Sequence, residues 1–224
     1  LKAKSTDPVS SFGSIISFNR EVDLAVAKEI NKFFVEVVVA PSFSKDALLE
    51  LKSKKNLRLI RINRFPDYSR EIDFKKIAGG LLVQNMDTKI PHKHDMKVVT
   101  KKNPTDDQIK AMVFGWKVMK HVKSNAIMFV ATDRTLAIGA GQMSRVDSVR
   151  LAAMKAGNLG ISLKDSVLTS DAFFPFRDGL DEAINAGARA VIQPGGSMKD
   201  DEVIAAADEH GIPMVFTGFR CFRH

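Results

Sequence analysis

The chain has 224 residues, of which 45% are hydrophobic and 27% charged, and its formal net charge is +8. These proportions are typical of a globular protein with a sizeable core, and no apolar run approaches the ~20 residues of a membrane span. The single cysteine, Cys221, excludes an intramolecular disulfide and a thiolate zinc cage, and it favours a reducing, cytoplasmic setting. The first residues include neither Met nor a signal-peptide pattern, so we expect a piece of a longer chain.

The positive charge has more than one interpretation. The lysines are scattered, and no Arg-rich block or basic run mixed with aromatic residues occurs. This distribution is typical of a solvated surface, although the summed field would also favour small polyanionic ligands. A nucleic-acid interface would rest on the net charge alone, and we expect neither nucleic acid nor membrane as a partner.

The N-terminal part alternates apolar and amphipathic runs, which predicts a βαβαβ order. Strands are expected at 14–19, 35–41 and 56–63, and helices at 22–34 and 44–55, with Ser44 as the N-cap of the second helix. The polar stretch 63–76 receives no assignment. Residues 103–122 predict an amphipathic helix, because Thr105 and Gln108 have the spacing of a capping box.

The C-terminal part predicts the order β-β-α-β-α-β-α-β. Strands are expected at 125–130, 135–140, 166–170, 188–194 and 212–218, and helices at 144–155, 177–187 and 199–211, with Gly157 just beyond the first helix. A hairpin followed by βα units predicts a mixed sheet with helices on its faces. Deaminase-like folds share this order, but their zinc signature, His-x-Glu followed by Pro-Cys-x-x-Cys, is absent from the sequence.

We therefore predict an α/β, cytidine-deaminase-like mixed sheet flanked by helices, without the zinc site. The chain is expected to hold one complete subdomain plus part of another. The boundary is placed between residues 97 and 98.

Several turns between strands and helices are candidates for binding. Gly139, Gly141 and Ser144 form a turn that either holds an anion at the helix start or is merely a tight connection. Arg145 slightly favours the anion, since a guanidinium opposes the helix dipole.

The segment 170–179 predicts either a hydrophobic plug between layers or a slot that binds a flat heteroaromatic ring. In the second case Arg177 or Asp178 would contact the polar edge of that ring. Near the C-terminus, Arg220 either holds a phosphate or belongs to a frayed basic tail. The stretch PHKHD at 91–95 suits an exposed loop better than a metal site.

Seven segments carry a resemblance that goes beyond the fold. They read TDPVSSFG, FFVEVVVAP, KHVKSNAI, GAGQMSRVDSVRLAAMKAG, SDAFFPFRDGLDEA, VIQPGGSMKDDEVIAAADEHGI and FTGFRCFRH. Together they closely resemble the bifunctional purine-biosynthesis enzymes that combine AICAR transformylase with IMP cyclohydrolase. The resemblance implies a cytoplasmic homodimer with transformylase sites at the subunit interface. It also implies formyl transfer from 10-formyltetrahydrofolate to the AICAR nucleotide, on two deaminase-like subdomains without zinc.

The resemblance is confined to the C-terminal half of the transformylase. The cyclohydrolase domain, an Arg-Tyr-Gly motif and a Lys-His-Ala-Asn-Pro-Cys-Gly motif are absent from this sequence. The last of these supplies the principal catalytic Lys and His of the family. Residues 1–97 are then the end of the first transformylase subdomain with a connector, and residues 98–224 are a linking helix and the second subdomain. We expect the fragment alone to be inactive.

The resemblance also implies roles for individual residues. Asn125 is expected to assist the missing His near the formyl group, by orientation and at the oxyanion, but not as a base. The AICAR nucleotide is expected to contact Phe12, Gly13, Glu36, Phe173 and Arg220. The folate is expected to contact Ser144, Arg145, Pro175, Phe176 and Asp178, so the turn at 139–145 would hold folate rather than a phosphate. A potassium ion is expected near Ser124 and Asp171. The alternative function is a non-catalytic folate- or nucleotide-binding module of the same fold.

Overall fold

A computed structural model of the chain describes residues 2–65, 67 and 71–223, and these form two compact units that divide after Met86. After a short helix α1 (Lys2–Ser5), the first unit contains a parallel sheet in the order β1-β2-β3 with two helices. Its elements are β1 (Ser14–Ser17), α2 (Leu24–Asn31), β2 (Val35–Ala40), α3 (Lys45–Leu51) and β3 (Arg58–Arg61). The predicted βαβαβ order is confirmed.

Side-chain caps set the helix boundaries of the first unit. The Asp23 carboxylate accepts a hydrogen bond from Val26 N at 2.8 Å, so α2 begins two residues later than the apolar pattern predicts. Ser44 caps α3 as expected, accepting from Ala47 N at 3.1 Å. The core between helices and sheet consists of Val22, Ala27, Ile30, Val35, Val38, Ala40, Ala47 and Leu51.

A hairpin that the sequence reasoning missed completes the first unit. Strands β4 (Ile72–Ile77) and β5 (Gly80–Asn85) pair antiparallel, and part of the unassigned stretch 63–76, residues 66 and 68–70, lies outside the described residues. One face carries large apolar side chains that are 57–69% exposed, namely Ile72, Phe74, Leu81 and Val83. The alternation of Ile72 and Phe74 with charged residues was the available signal.

The second unit is built on a six-stranded mixed sheet in the order β6-β11-β10-β9-β7-β8. Its strands are β6 (Lys97–Val98), β7 (Ile127–Val130), β8 (Thr135–Gly139), β9 (Ser166–Ser170), β10 (Ala188–Gln193) and β11 (Met214–Phe216). Strands β9, β10 and β11 are parallel, whereas β6, β7 and β8 each pair antiparallel with their neighbours. The predicted mixed sheet is confirmed, with the two-residue β6 as an addition too short to predict.

Helices cover both faces of this sheet, as predicted. They are α4 (Asp106–Met119), α5 (Arg145–Asn158), α6 (Asp178–Ala186) and α7 (Asp200–Glu209). Successive residues of a strand point to opposite faces. Accordingly Met128 and Val130 pack in the cluster that contains α4 residues, and Ile127 and Phe129 pack in the cluster that contains α5, α6 and α7 residues. The predicted capping box of α4 is present, with Thr105 and Gln108 bonded reciprocally. Among the described helices none is long and apolar enough to cross a bilayer.

One edge of the second sheet gathers the chain segments that the sequence singled out. Parallel strands β9, β10 and β11 all end at this edge. Strand β7 begins there and β8 ends there, because Ile127 pairs with both Ser170 and Gly139. We call this edge the carboxyl edge; it is formed by the loops 123–126, 140–144, 171–177, 194–199 and 217–223. Ligands of open α/β sheets commonly bind at such an edge.

The prediction that Gly157 follows the end of α5 is wrong. Helix α5 runs through Gly157 to Asn158, and the left-handed residue beyond it is Gly160, with φ of 65°. A Cβ on Gly157 would meet nothing within 4 Å. We expect Gly157→Ala to raise the free energy of unfolding by about 0.5–1 kcal/mol, because alanine loses less backbone entropy in a helix. Thermal unfolding of the two proteins measures the difference.

Gly139→Ala is the contrasting variant; Gly139 ends strand β8, at a point where that strand packs against the same helix. A Cβ at Gly139 would lie 1.9 Å from the carbonyl oxygen of Ser148 in α5. We expect this variant to have a free energy of unfolding roughly 1–3 kcal/mol lower than that of the wild-type protein, because the added methyl group overpacks the contact between β8 and α5. Equal effects of the two substitutions would contradict the packing described here.

Candidate active site at the carboxyl edge

A buried ion pair lies at the centre of the carboxyl edge. The Arg145 Nη2 atom donates to Asp171 Oδ1 at 2.8 Å, and the two side chains are 7% and 0% exposed. Arg145 is the first residue of α5 and Asp171 follows β9 directly. A guanidinium is unfavourable at a helix N-terminus, and here the buried carboxylate compensates its charge. The pair links two of the segments that the sequence marked as candidates.

The same guanidinium holds two further site residues. Arg145 Nη1 donates to the carbonyl oxygen of Phe173 at 2.8 Å, and Nη2 also donates to Asn125 Oδ1 at 3.2 Å. The buried Nε of Arg145 has no hydrogen-bond partner within the described residues. Arg145 therefore fixes the positions of Asn125, Asp171 and Phe173 relative to one another.

Asn125 uses its side-chain amide within the protein. Its Nδ2 donates to the carbonyl oxygens of Gln142 and Met143, at 3.0 and 3.1 Å. Both amide hydrogens are thereby engaged, so donation to an oxyanion would require one of these bonds to break. Within the described residues, Oδ1 accepts a hydrogen bond only from Arg145. One lone pair of that oxygen therefore remains for a ligand or a catalytic group.

The turn between β8 and α5 has a packing explanation. Gly139 lets β8 approach the backbone of α5, and Gly141 adopts a φ of 69° while its N–H donates to the carbonyl of Lys123 at 2.8 Å. Ser144 caps α5: its Oγ accepts from Asp147 N at 3.1 Å and donates to Asp147 Oδ2 at 2.5 Å. The glycines thus form the tight connection that the sequence left open as one of two interpretations. Contact of Ser144 with folate stays a prediction.

The aromatic segment after β9 divides into a plug and an accessible part. Phe174 is 1% exposed, and its N–H donates to the buried Gln193 Oε1 at 3.0 Å. In contrast, Phe176 is 55% exposed, and Phe173 and Pro175 are half-buried. The plug interpretation therefore applies to Phe174, and a slot for a flat ring beside the accessible rings stays a prediction.

The two polar candidates beside these rings differ in their contacts within the protein. Arg177 is engaged by Asp181 at 2.8 Å and by Glu209 at 2.7 Å. These hydrogen bonds raise the pKa of Arg177 and lower the pKa values of Asp181 and Glu209. Asp178 is exposed, with Oδ1 accepting from Gly179 N at 2.7 Å.

The C-terminal segment is anchored rather than frayed. Cys221 N donates to the carbonyl of Asp171 at 3.0 Å, and Ser124 and Arg223 exchange two hydrogen bonds of 2.9 and 3.0 Å. This anchoring places the exposed Arg220 guanidinium 5.4 Å from the ring centroid of Phe173 and 5.6 Å from that of Phe222.

The side chains of Ser124 and Asp171 do not fit a potassium site. Ser124 Oγ accepts from Arg223 N, and the Asp171 carboxylate accepts from Arg145 and from Ala126 N at 3.1 Å. A second cation beside that carboxylate would be repelled by the guanidinium. The described residues also hold no cluster of three or more His, Cys, Asp or Glu arranged for a metal ion. In the PHKHD loop the rings of His92 and His94 are stacked, with centroids 5.4 Å apart.

Cys221 offers a probe of this anchoring. Its side chain is 1% exposed, and burial raises the pKa of the thiol to about 12. Since the thiolate is the reactive form, we expect the native thiol to react with a disulfide reagent at least ~10²-fold more slowly than the unfolded chain. Reaction rates with and without denaturant measure this. Comparable rates would contradict the buried position of the segment.

The first unit groups its own three predicted residues. Gly13 N donates to the carbonyl of Phe34 at 3.1 Å, with φ of 72°, and the Phe12 ring lies 5.0 Å from the Phe34 ring. A Cβ on Gly13 would lie 3.8 Å from Glu36 Oε1, and Glu36 is 4.0 Å from Arg58 Nη1. Phe12, Gly13 and Glu36 therefore lie together where β1 and β2 begin, beside Phe34 and Arg58, which the sequence reasoning missed.

Comparison with known proteins decides the family. The sequence model described as "AICARFT/IMPCHase bienzyme" matches residues 1–155. The chain belongs to the AICARFT/IMPCHase bienzyme family. It is also 56% identical over 223 residues to the bifunctional purine biosynthesis protein PurH of Polynucleobacter necessarius subsp. necessarius (strain STIR1). That match covers 100% of this chain and 42% of the relative, so the chain spans less than half the length of the relative it matches.

The bienzyme-family assignment confirms the resemblance drawn from the seven segments. The structure brings Asn125, Arg145, Asp171, Phe173 and Arg220 together at one edge, with Ser124 and Ser144 in its loops and Pro175, Phe176 and Asp178 in the accessible part of the aromatic segment. Sequence reasoning missed Gln193, the buried partner of Phe174. Its position, at the end of β10 before two glycines, was the signal that could have identified it.

Proposed function

We propose that this chain forms the nucleotide- and folate-binding part of AICAR transformylase, which transfers the formyl group of 10-formyltetrahydrofolate to the AICAR nucleotide in IMP synthesis. The parent protein also acts as an IMP cyclohydrolase. The observation that carries the proposal is the convergence of Asn125, Phe173 and Arg220 around the buried Arg145–Asp171 pair.

The nucleotide side of the site consists of one aromatic and one cationic group. Phe173 offers a partly exposed ring for the imidazole base, and Arg220 offers an exposed guanidinium that can bind a phosphate in bidentate fashion. In the first unit, Phe12, Gly13 and Glu36 are proposed to contact the AICAR nucleotide. The 4.0 Å separation of Glu36 from Arg58 leaves its carboxylate able to accept hydrogen bonds from a ligand.

The folate side lies along the accessible part of the aromatic segment. Pro175 and the exposed Phe176 are proposed to pack against the pterin, and Asp178 to accept hydrogen bonds from its amino edge. Ser144 and Arg145 are proposed to contribute at the adjoining turn. Because the Arg145 side chain is only 7% exposed, such a contact would involve its backbone.

The chemistry requires alignment and proton removal. The AICAR amine is a poor nucleophile, since its lone pair is delocalised into the ring and carboxamide. Formyl transfer then needs positioning of the amine, a base and stabilisation of a tetrahedral oxyanion. With its amide hydrogens engaged, Asn125 is proposed to act through Oδ1, accepting a hydrogen bond that orients the amine or the catalytic His.

The principal Lys and His are proposed to lie in a part of the parent protein that this sequence does not contain. The isolated chain is therefore expected to bind its ligands weakly and to show no turnover. A cytoplasmic homodimer with sites at the subunit interface completes the proposal. A potassium ion is proposed to be coordinated by main-chain oxygens near Ser124 and Asp171, because the side chains of these residues are engaged within the protein.

The full-length protein tests this function. We expect it to form tetrahydrofolate from 10-formyltetrahydrofolate only when the AICAR nucleotide is present, with a formylated product identified by mass. Binding of both ligands by the full-length protein without formyl transfer would contradict the proposal and favour a non-catalytic binding module instead.

A further inference from the structure

We infer that Asp171 is the positioning residue of this site: through its buried pair with Arg145 and through its own backbone it sets the geometry of Asn125, Phe173 and Arg220. The inference rests on the proposed function and goes beyond it, since it assigns Asp171 a role other than metal binding.

Asp171 joins three segments of the carboxyl edge with all of its hydrogen-bonding groups. Its Oδ1 accepts from Arg145 Nη2 at 2.8 Å, and its Oδ2 accepts from Ala126 N at 3.1 Å. Its backbone N–H donates to the carbonyl of Ala126 at 3.3 Å, and its carbonyl accepts from Cys221 N at 3.0 Å. The side chain is 0% exposed. No water competes for these bonds, so each one constrains the geometry strongly.

Each of these bonds leads to a residue of the proposed site. Ala126 follows Asn125, whose Oδ1 is also held by Arg145. Cys221 follows Arg220. Arg145 also binds the carbonyl of Phe173. A change at Asp171 is therefore transmitted to the predicted catalytic asparagine and to both groups of the nucleotide side, although Asp171 itself is fully buried.

The negative charge of Asp171 orients the guanidinium of Arg145. With a neutral amide in its place, a guanidinium beside a helix N-terminus would be buried without a counter-charge. It would then turn toward water and release Asn125 and Phe173. Because small displacements of an aligned group slow a reaction strongly, the loss is expected mainly in kcat, with smaller changes in KM.

The test uses the full-length protein with Asp171→Asn and the matched control Glu182→Gln. Glu182 pairs with Arg150 of the same helix α5, but both side chains are exposed, at 43% and 59%. We expect Asp171→Asn to lower kcat by roughly 10- to 100-fold, with a smaller rise in the KM for the AICAR nucleotide and a KM for the folate within about 3-fold of the wild-type value. We expect Glu182→Gln to retain the wild-type kcat. A wild-type kcat in folded Asp171→Asn would overturn the inference.

An apolar replacement separates positioning from simple stability. In Arg145→Met/Asp171→Leu no charge is left buried, so the melting temperature is expected to exceed that of Asp171→Asn, while kcat stays low. Recovery of wild-type kcat in this double variant would show that the pair is merely structural.

Asp171→Asn is also assayed over a range of potassium concentrations. Rescue of kcat by potassium would identify Asp171 as an ion ligand and overturn the inference. Absence of turnover in the wild-type protein would instead refute the proposed function.

Discussion

Replacing Asn125 with alanine in the full-length protein is expected to lower the transformylase kcat by roughly 10²-fold, with little change in KM. The reason lies in the contacts of its carboxamide. This group joins the Gln142 and Met143 carbonyls to the Arg145 guanidinium, and one Oδ1 lone pair remains to accept a hydrogen bond from a ligand. Alanine cannot supply that acceptor. Steady-state kinetics with both substrates measure the effect.

Asn31 provides the matched control for this prediction. It is a half-buried asparagine whose Nδ2 donates to the carbonyl of Glu50 at 3.0 Å, between α2 and α3 of the first unit. Asn31→Ala is expected to lower the melting temperature as much as Asn125→Ala does, with an unchanged kcat. Equal losses of kcat in the two variants would indicate general destabilisation and contradict a specific role for Asn125.

Replacing Arg220 with alanine is expected to weaken binding of the AICAR nucleotide on the order of 10- to 100-fold, because a bidentate charge-assisted contact with the phosphate is lost. Arg220 is exposed and lies against Phe173 and Phe222, at 5.4 and 5.6 Å from their centroids. Arg220→Lys keeps the charge without the planar fork, so its affinity should be intermediate. Calorimetric titration of the full-length variants with the nucleotide measures the three affinities.

Arg223 is the control for the charge itself. It lies three residues further along the same segment, and its described contacts with Ser124 involve only its backbone. Arg223→Ala is expected to leave nucleotide affinity within about 2-fold of the wild-type value, since an exposed charge contributes little at a distance. A loss equal to that of Arg220→Ala would mean that the net charge of the segment, rather than a specific guanidinium, attracts the nucleotide.

The sequence predicted those parts of the fold that depend on local chemistry. The capping box of Thr105 and Gln108 is an interaction between neighbours in the chain, and so is the cap formed by Ser44. The run at 125–130 predicted a strand because it is apolar after Asn125, and all four residues of β7 are buried. The order of strands and helices followed from these local signals.

The partners of the buried polar groups could not be predicted in this way. Arg145 and Asp171 are 26 positions apart, and they meet because β9 pairs with β7 and α5 packs beside them. The sequence alone does not indicate whether Asp171 pairs with Arg145 or with Arg177. The resemblance implies a potassium ion near Asp171 and a role of Asn125 in orientation and at the oxyanion, but it does not reveal that Arg145 binds the Asp171 carboxylate or that the amide hydrogens of Asn125 are engaged. The resemblance identified the residues, but the geometry defines what each can do.

The most direct test of the account compares formyl transfer by the full-length protein and by residues 1–224 alone, under the same conditions and with thermal unfolding recorded for both. We predict turnover by the full-length protein and none by the folded 224-residue chain, because the principal Lys and His are proposed to lie outside it. Turnover by the isolated chain would contradict this account, since its catalytic groups would then have to be found among the residues described here.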